Sequence, residues 1–257
     1  PVAATRLVEI IQASGLPPGV LNLVHGTGDE TGECLASHPG VDGVSFTGSS
    51  AVGERLLKTC ASIGKEISCE MGGKNPIIVI DDAKLELAVE GALWGAFGTS
   101  GQRCTAASRL IVHEKVHDKF LAMFLKAASS LKVGSGLDKA TQMGPVINEA
   151  QMKKVLGYIE TGKKEGARLA LGGNAMQEGN FAKGFFIEPT VFTDVAMDMR
   201  IAQEEIFGPV VAVLKAKSLE DAIAKANGVK YGLSSSIYTQ DVNSSAIAER
   251  DLDAGIV

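Results

Sequence analysis

The sequence has no cluster of lysine and arginine, no apolar run long enough for a membrane and no cysteine pair at metal spacing. Each absence excludes a class of function. With 25 basic against 30 acidic residues the formal charge is −5, leaving no footprint for nucleic acid. A helix spanning a bilayer needs roughly 20 consecutive apolar residues, so no membrane span is expected. The opening stretch, "PVAATRLVEIIQASG", lacks the charged lead-in, apolar core and cleavage site of a signal peptide. Cys34, Cys60, Cys69 and Cys104 match no zinc pattern, and His25, His38, His113 and His117 add no ligand pair. No metal is expected, nor a disulfide framework, and a reducing cytoplasmic location fits this cysteine usage. Proline is also scarce, at eight against thirty glycines, which points to tight turns rather than disorder.

What is present reads as an α/β protein of one large or two modest domains. Helical spacing of Leu7, Ile10 and Ile11 predicts a first helix ending near Gly15. "GVLNLVHG" reads as a short buried strand. "DETGECLASHPG" then predicts a helix, "GVSFTGS" a strand, "SSAVGERLLKTCASIG" a helix and "KEISCEMGG" a strand. Short apolar strands alternating with helices indicate a parallel sheet built from βαβ units. Beyond a boundary near Gly72–Lys74, "NPIIVIDDA" is a strand and Asp82 is expected to cap the helix "KLELAVEGALWGAFG". Strands follow at "RLIVHE", "ARLALGG", "FFIEPTVFTDV", "FGPVVAVLKA" and "LSSSIYT". Helices are predicted at "HDKFLAMFLKAASSLKVG", "NEAQMKKVLGYIETGKKEG", "SLEDAIAKANG" and "DVNSSAIAERDLDAG", and "NAMQEGNFAKG" is a loop. The closing "GIV" looks like the start of another strand, and the chain is expected to be an internal piece of a larger protein.

Three features carry chemistry. In "FTGSSAVG", Gly48 and Gly53 flank a strand-to-helix turn that would aim free N–H groups at an anion such as pyrophosphate. Alone, this spacing reads first as a structural tight turn, since it matches neither the phosphate loop of nucleotide hydrolases nor the usual dinucleotide fingerprint. In "CEMGGKNP", Glu70 ends an apolar strand, where parallel sheets gather ligands. Burial there would raise its pKa toward the range of a general base; the plain alternative is a solvated strand-end glutamate. In "GTSGQRCTAASR", Cys104 is either a nucleophile or a small core residue, since free cysteine is commonly buried. Adjacent Arg103 is expected to diverge from it.

Taken together, these features resemble the aldehyde dehydrogenase superfamily. The resemblance spans essentially the whole chain and rests on "GLPPGVLNLVHGTG", "FTGSSAVG", "EMGGKNP", "GTSGQRCTA", "GFFIEPTVF" and "EEIFGPVV", in the family's order. Glu70 and Cys104 stand 34 positions apart, as the family pattern requires. The resemblance implies a parallel-sheet α/β fold. Residues 1–73 would be the later half of a Rossmann-type dinucleotide-binding domain, and residues 74–257 most of a catalytic domain. It implies oxidation of an aldehyde, of the semialdehyde kind by the look of "GQRCTA", to a carboxylic acid with NAD or NADP.

In that scheme Cys104 is the nucleophile and its backbone N–H one oxyanion donor, while Glu70 is the base that hydrolyses the thioester. Glu205 and Phe207 would hold the nicotinamide ribose and ring. Gly48, Ser49 and Gly53 would face the phosphates, and Gly28 the adenine half. Members that pass the acyl group to coenzyme A lack this glutamate, so hydrolysis is the expected outcome. Family subunits are nearly twice as long and form homodimers or homotetramers, and the 257-residue chain alone is expected to be inactive. Two alternatives from other classes are a cysteine-dependent acyl hydrolase or transferase, which would need a histidine partner, and a non-catalytic truncated module.

Overall fold

The computed structural model describes all of residues 1–257. They form two compact units, Pro1–Met71 and Gly72–Val257.

In the first unit, helix α1 covers Val2–Ala13. A π-type turn over Gly28–Gly32, with the Thr27 hydroxyl accepting from the Glu30 N–H, leads into α2, Glu33–Ser37. Strand β1 (Gly43–Thr47), helix α3 (Ser50–Ser62) and strand β2 (Glu66–Glu70) complete a βαβ unit. The strands pair in parallel from Gly43 opposite Glu66 to Thr47 opposite Glu70. Helix α3 buries Gly53, Leu56 and Cys60, three positions on one helical face. The expected strand "GVLNLVHG" does not form: residues 19–26 are irregular and almost wholly exposed. An extended apolar segment becomes a strand only where a neighbour takes up its N–H and C=O groups. The sheet of this unit has only β1 and β2 as members.

The second unit begins with β3, Asn75–Val79, buried along its whole length as befits a central parallel strand. It continues through α4 (Leu85–Phe97), β4 (Ala107–His113), α5 (Glu114–Ser129), α6 (Glu149–Lys164) and β5 (Arg168–Leu171). Then come the short strands β6 (Ala175–Met176) and β7 (Phe186–Ile187), β8 (Thr190–Thr193), the one-turn helix α7 (Arg200–Gln203) and β9 (Val210–Ala216). Helix α8 (Leu219–Asn227), β10 (Ser236–Tyr238) and α9 (Val242–Asp251) close the chain.

Six strands form one sheet in the order β10-β3-β4-β9-β8-β5. All pairings are parallel except β5 with β8, so the expected parallel sheet acquires one antiparallel edge. Side chains alternate to two cores. Ile78, Ile111 and Leu214 join Ile159, Phe192 and Ile201 on one face. Val79, Leu110, Val112 and Val213 meet Phe97, Phe120 and Phe124 on the other. There Phe124 stacks on Phe97 and Phe120 with ring centroids 6.0 and 5.8 Å apart.

Asp82 does not cap α4. Its carboxylate accepts from the Thr239 hydroxyl at 2.9 Å and the Gln240 N–H at 2.9 Å, pinning the loop after β10, and Lys84 holds the cap position without a side-chain bond.

Candidate active site

In the second unit, three adjacent parallel strands bring three loops to one edge of the sheet. Gly73 and Lys74 precede β3, Arg103 and Cys104 precede β4, and Glu205 and Phe207 precede β9. Because β3, β4 and β9 are neighbours running the same way, their N-terminal ends lie side by side. A cavity of about 10 Å³, the space of one water, is lined by Gly73, Arg103, Ser108, Glu205 and Phe207.

Cys104 is exposed. It sits in a tight turn closed by the Ala106 N–H donating to the Arg103 carbonyl at 3.0 Å. The Cys104 carbonyl accepts from Asn75 Nδ2 at 2.7 Å. Its N–H sits outside the turn's hydrogen bonds and is available to an oxyanion. The core alternative for this cysteine therefore does not hold; Cys60 is the buried one. Arg103 turns away, as expected, with its guanidinium 5.5 Å from the centroid of the Trp94 ring.

The polar turn before Cys104 takes a left-handed form. Thr99 (φ 56°), Ser100 (φ 57°) and Gly101 (φ 68°) are successive left-handed residues. The Ser100 hydroxyl donates to the Gly144 carbonyl at 2.8 Å, and Gln102 Oε1 accepts from the Ile147 N–H at 3.1 Å. A Cβ on Gly101 would overlap the Gly208 carbonyl, so this turn packs directly against the one carrying Phe207. Phe207 is itself left-handed at φ 59°, and its carbonyl accepts from Gln151 Nε2 at 2.7 Å.

Two successive glutamates have opposite roles. Glu204 is bound by Arg200 Nε and Nη2, at 2.8 and 2.9 Å, and by the Tyr158 hydroxyl at 2.7 Å. The Arg200 hydrogen bond, offset in part by burial, holds its carboxyl down at about 2. Burial and the Glu204 bond push Tyr158 up to about 12. Glu205 accepts only the Gly73 N–H, at 3.2 Å to Oε1, which leaves Oε2 for a ligand hydroxyl. A Cβ on Gly72 would collide with this carboxylate, so Gly72 is where the chain must make room for it.

Beneath the loops lie three buried polar side chains that the sequence did not flag. Asn75 is 4% exposed, Lys74 1% and Arg109 0%. Arg109 donates to the carbonyls of Lys74 (2.8 Å), Lys225 (2.7 Å) and Ala226 (2.8 Å). Burial lowers it to about 10, still protonated near neutrality. Lys74 Nζ has no hydrogen-bond partner. Burial first, and the Arg109 charge next, bring it down to about 7.

In the first unit, Glu70 is the last residue of β2 and is exposed rather than buried. Gly48 and Ser49 form the turn between β1 and α3, with the Gly48 N–H donating to the Glu70 carbonyl at 3.0 Å. No side chain caps α3, whose first N–H groups stay available to an anion. Gly53 is buried within α3, where a Cβ would press on the Met71 sulfur and Phe46; its place is packing, one turn below that helix end. Gly28 opens the π-type turn with open space beside it.

The model of the aldehyde dehydrogenase family matches residues 1–257. The chain is 42% identical over 256 residues to α-ketoglutaric semialdehyde dehydrogenase of Bacillus subtilis (strain 168), spanning 100% of this chain and 52% of that protein. To the peroxisomal aminoaldehyde dehydrogenase 1 of Pisum sativum it is 44% identical over 256 residues, 100% of this chain and 50% of the relative. A crystal structure of betaine aldehyde dehydrogenase from Staphylococcus aureus in complex with NAD+ superposes with a TM-score of 0.95 at 39% identity, covering 98% of this chain and 50% of that one. The chain spans about half the length of the curated relatives it matches.

Proposed function

Because this chain belongs to the aldehyde dehydrogenase family, we propose that the whole protein oxidises an aldehyde to a carboxylic acid with NAD+ or NADP+. The observation that carries the reading is Cys104: exposed, its carbonyl tied down, its N–H open, and one strand away from the Glu205–Phe207 turn. The Cys104 thiolate, its proton released to solvent, adds to the aldehyde carbon, forming a C–S bond and an oxyanion that accepts a hydrogen bond from the Cys104 N–H. Bound NAD(P)+ supplies the hydride acceptor. As the oxyanion collapses, the carbon loses hydride and becomes a thioester. Glu70 takes a proton from water, which attacks the thioester, releases the acid and restores the thiol.

The residues fit the dinucleotide. The uncapped start of α3 behind Gly48 and Ser49 suits its phosphates, with Gly53 allowing the close packing beneath. Glu205 Oε2 suits a ribose hydroxyl, Phe207 the nicotinamide and Gly28 the adenine half. The hydrolase alternative lacks its base. His25, His38, His113 and His117 bond Thr5, the Gly40 N–H, the Lys115 N–H and Asp118. Semialdehydes and aminoaldehydes are the substrate classes to test first, given the relatives. A homo-oligomeric assembly and a cytoplasmic location complete the reading. No helix is long and apolar enough to cross a membrane, and all four cysteines are free.

Rapid-mixing kinetics on the full-length protein test this. Cys104→Ala should abolish acid formation. Glu70→Gln should keep the initial burst of NADH while slowing turnover roughly a hundredfold or more. Loss of the burst in Glu70→Gln would place the glutamate before the thioester and overturn its assignment.

A further inference from the structure

Asn75 opens β3 at a point where the sheet ladder is short of a donor. Pro76, the next residue, has no N–H. The pairing of β3 with β4 slips there, Asn75 facing Ala107 while Pro76 faces Arg109, so that Ser108 is the extra residue of a bulge. The side chain of Asn75 makes up the deficit. Nδ2 donates to the Cys104 carbonyl at 2.7 Å and to the Ala106 carbonyl at 3.0 Å, the two carbonyls that flank Thr105. Oδ1 accepts from the Ser234 N–H at 3.1 Å, ahead of β10. Two carbonyls on one side and an N–H on the other admit a single orientation of the amide. With Asn75 buried, every one of these bonds is made away from water, where leaving one unmade is costly.

We propose that Asn75 is the positioning residue of the nucleophile, a role that rests on reading Cys104 as that nucleophile. By fixing the carbonyl of Cys104 on the sheet side, it fixes ψ of Cys104 and holds the sulfur and the residue's own N–H on the outer side together. Its link to Ser234 anchors the clamp to a third strand, so the loop is set by the sheet rather than by its own short turn.

The test uses Asn75→Asp, which keeps size and the acceptor for Ser234 but replaces the donor to both carbonyls by a second oxygen. Thr190→Val is the stability control, a fully buried residue that opens β8, two strands from β4, with its hydroxyl bonded to Gly173 and Glu188. In the 257-residue chain, iodoacetamide labelling is read site by site, with exposed Cys34 as internal reference. Labelling of Cys104 near neutral pH, well below either melting transition, should fall about tenfold in Asn75→Asp. Cys34 should be unchanged, and Thr190→Val should leave both sites alone. In the full-length protein, Asn75→Asp should lower kcat by a similar factor with little change in the cofactor KM, and Asn75→Ser, which restores one donor, should recover part of it.

If Asn75→Asp does not fold, Asn75→Ser carries the labelling test with a smaller expected loss. Unchanged Cys104 labelling in a folded Asn75 variant overturns the proposal, as does an equal effect of Thr190→Val. Retention of activity in Cys104→Ala would instead overturn the nucleophile assignment, whatever the Asn75 variants do.

Discussion

Lys74 shows how burial at a single residue becomes a measurable pH dependence. Its ammonium lies 1% exposed without a hydrogen-bond partner, and its value falls to about 7 through burial and the Arg109 charge. The unfolded chain keeps the ordinary value near 10.5. Between these two values the unfolded state holds one proton more, so stability rises with pH by about 1.4 kcal/mol per unit from this group. Below about 7 both states are protonated and the full cost of the buried charge is felt. Lys74→Met should therefore be more stable than the parent at pH 6, with the advantage shrinking steadily above 7. Urea unfolding across that range checks it, and parallel curves would show that the site does not titrate as its burial demands. Cys104, Glu70, Glu205 and Phe207 are candidates from the sequence because each sits in a recognisable local motif. Lys74, Asn75 and Arg109 are not, although "EMGGKNP" contains two of them. Arg109 and Asn75 act through carbonyls and an N–H that lie 29 to 159 positions away, which no local pattern encodes.

At the level of elements, periodicity located most helices and strands, since burial on one face is written in spacing. It failed where the deciding partner was remote. Residues 19–26 have strand-like side chains but no strand to pair with. Asp82 precedes a helix yet serves Thr239 and Gln240, and the antiparallel run of β5 follows from pairing with β8. The left-handed turn at Thr99–Gly101 escaped because two of its residues are not glycine and are held there by Ser100, Gln102 and their backbone partners. Its close packing on the Phe207 turn gives a paired prediction. Gly101→Ala meets both a left-handed backbone and the Gly208 carbonyl, whereas Gly179→Ala meets a left-handed backbone (φ 57°) with open space. Gly179→Ala should cost about 1 kcal/mol, and Gly101→Ala at least about 2 kcal/mol more. Chemical denaturation of the two variants measures the gap; equal losses would mean that the two turns separate freely.

For the molecule as a whole, the candidate residues fall at opposite strand ends in the two units. Gly48 follows β1 and Glu70 ends β2, whereas Cys104, Glu205 and Phe207 precede β4 and β9. The first unit carries its candidate residues on a two-stranded sheet, which has little independent stability. Its apolar Leu7, Ile10, Val20 and Val24 are exposed. The 257-residue chain alone should accordingly form no NADH from aldehyde above background, a result read by NADH absorbance; robust turnover would mean that these residues suffice for the cofactor. The leading ends of these parallel strands also have a local field set by the helices that return to them. Returning helices end at that edge, and α8 brings the carbonyls of Lys225 and Ala226 there, the negative pole of its dipole. An oxyanion would be repelled by such a pole. Arg109, bonded to both carbonyls and charged near neutrality, converts the helix end into a neutralised one. The guanidinium thus offsets the helix dipole at that edge of the sheet.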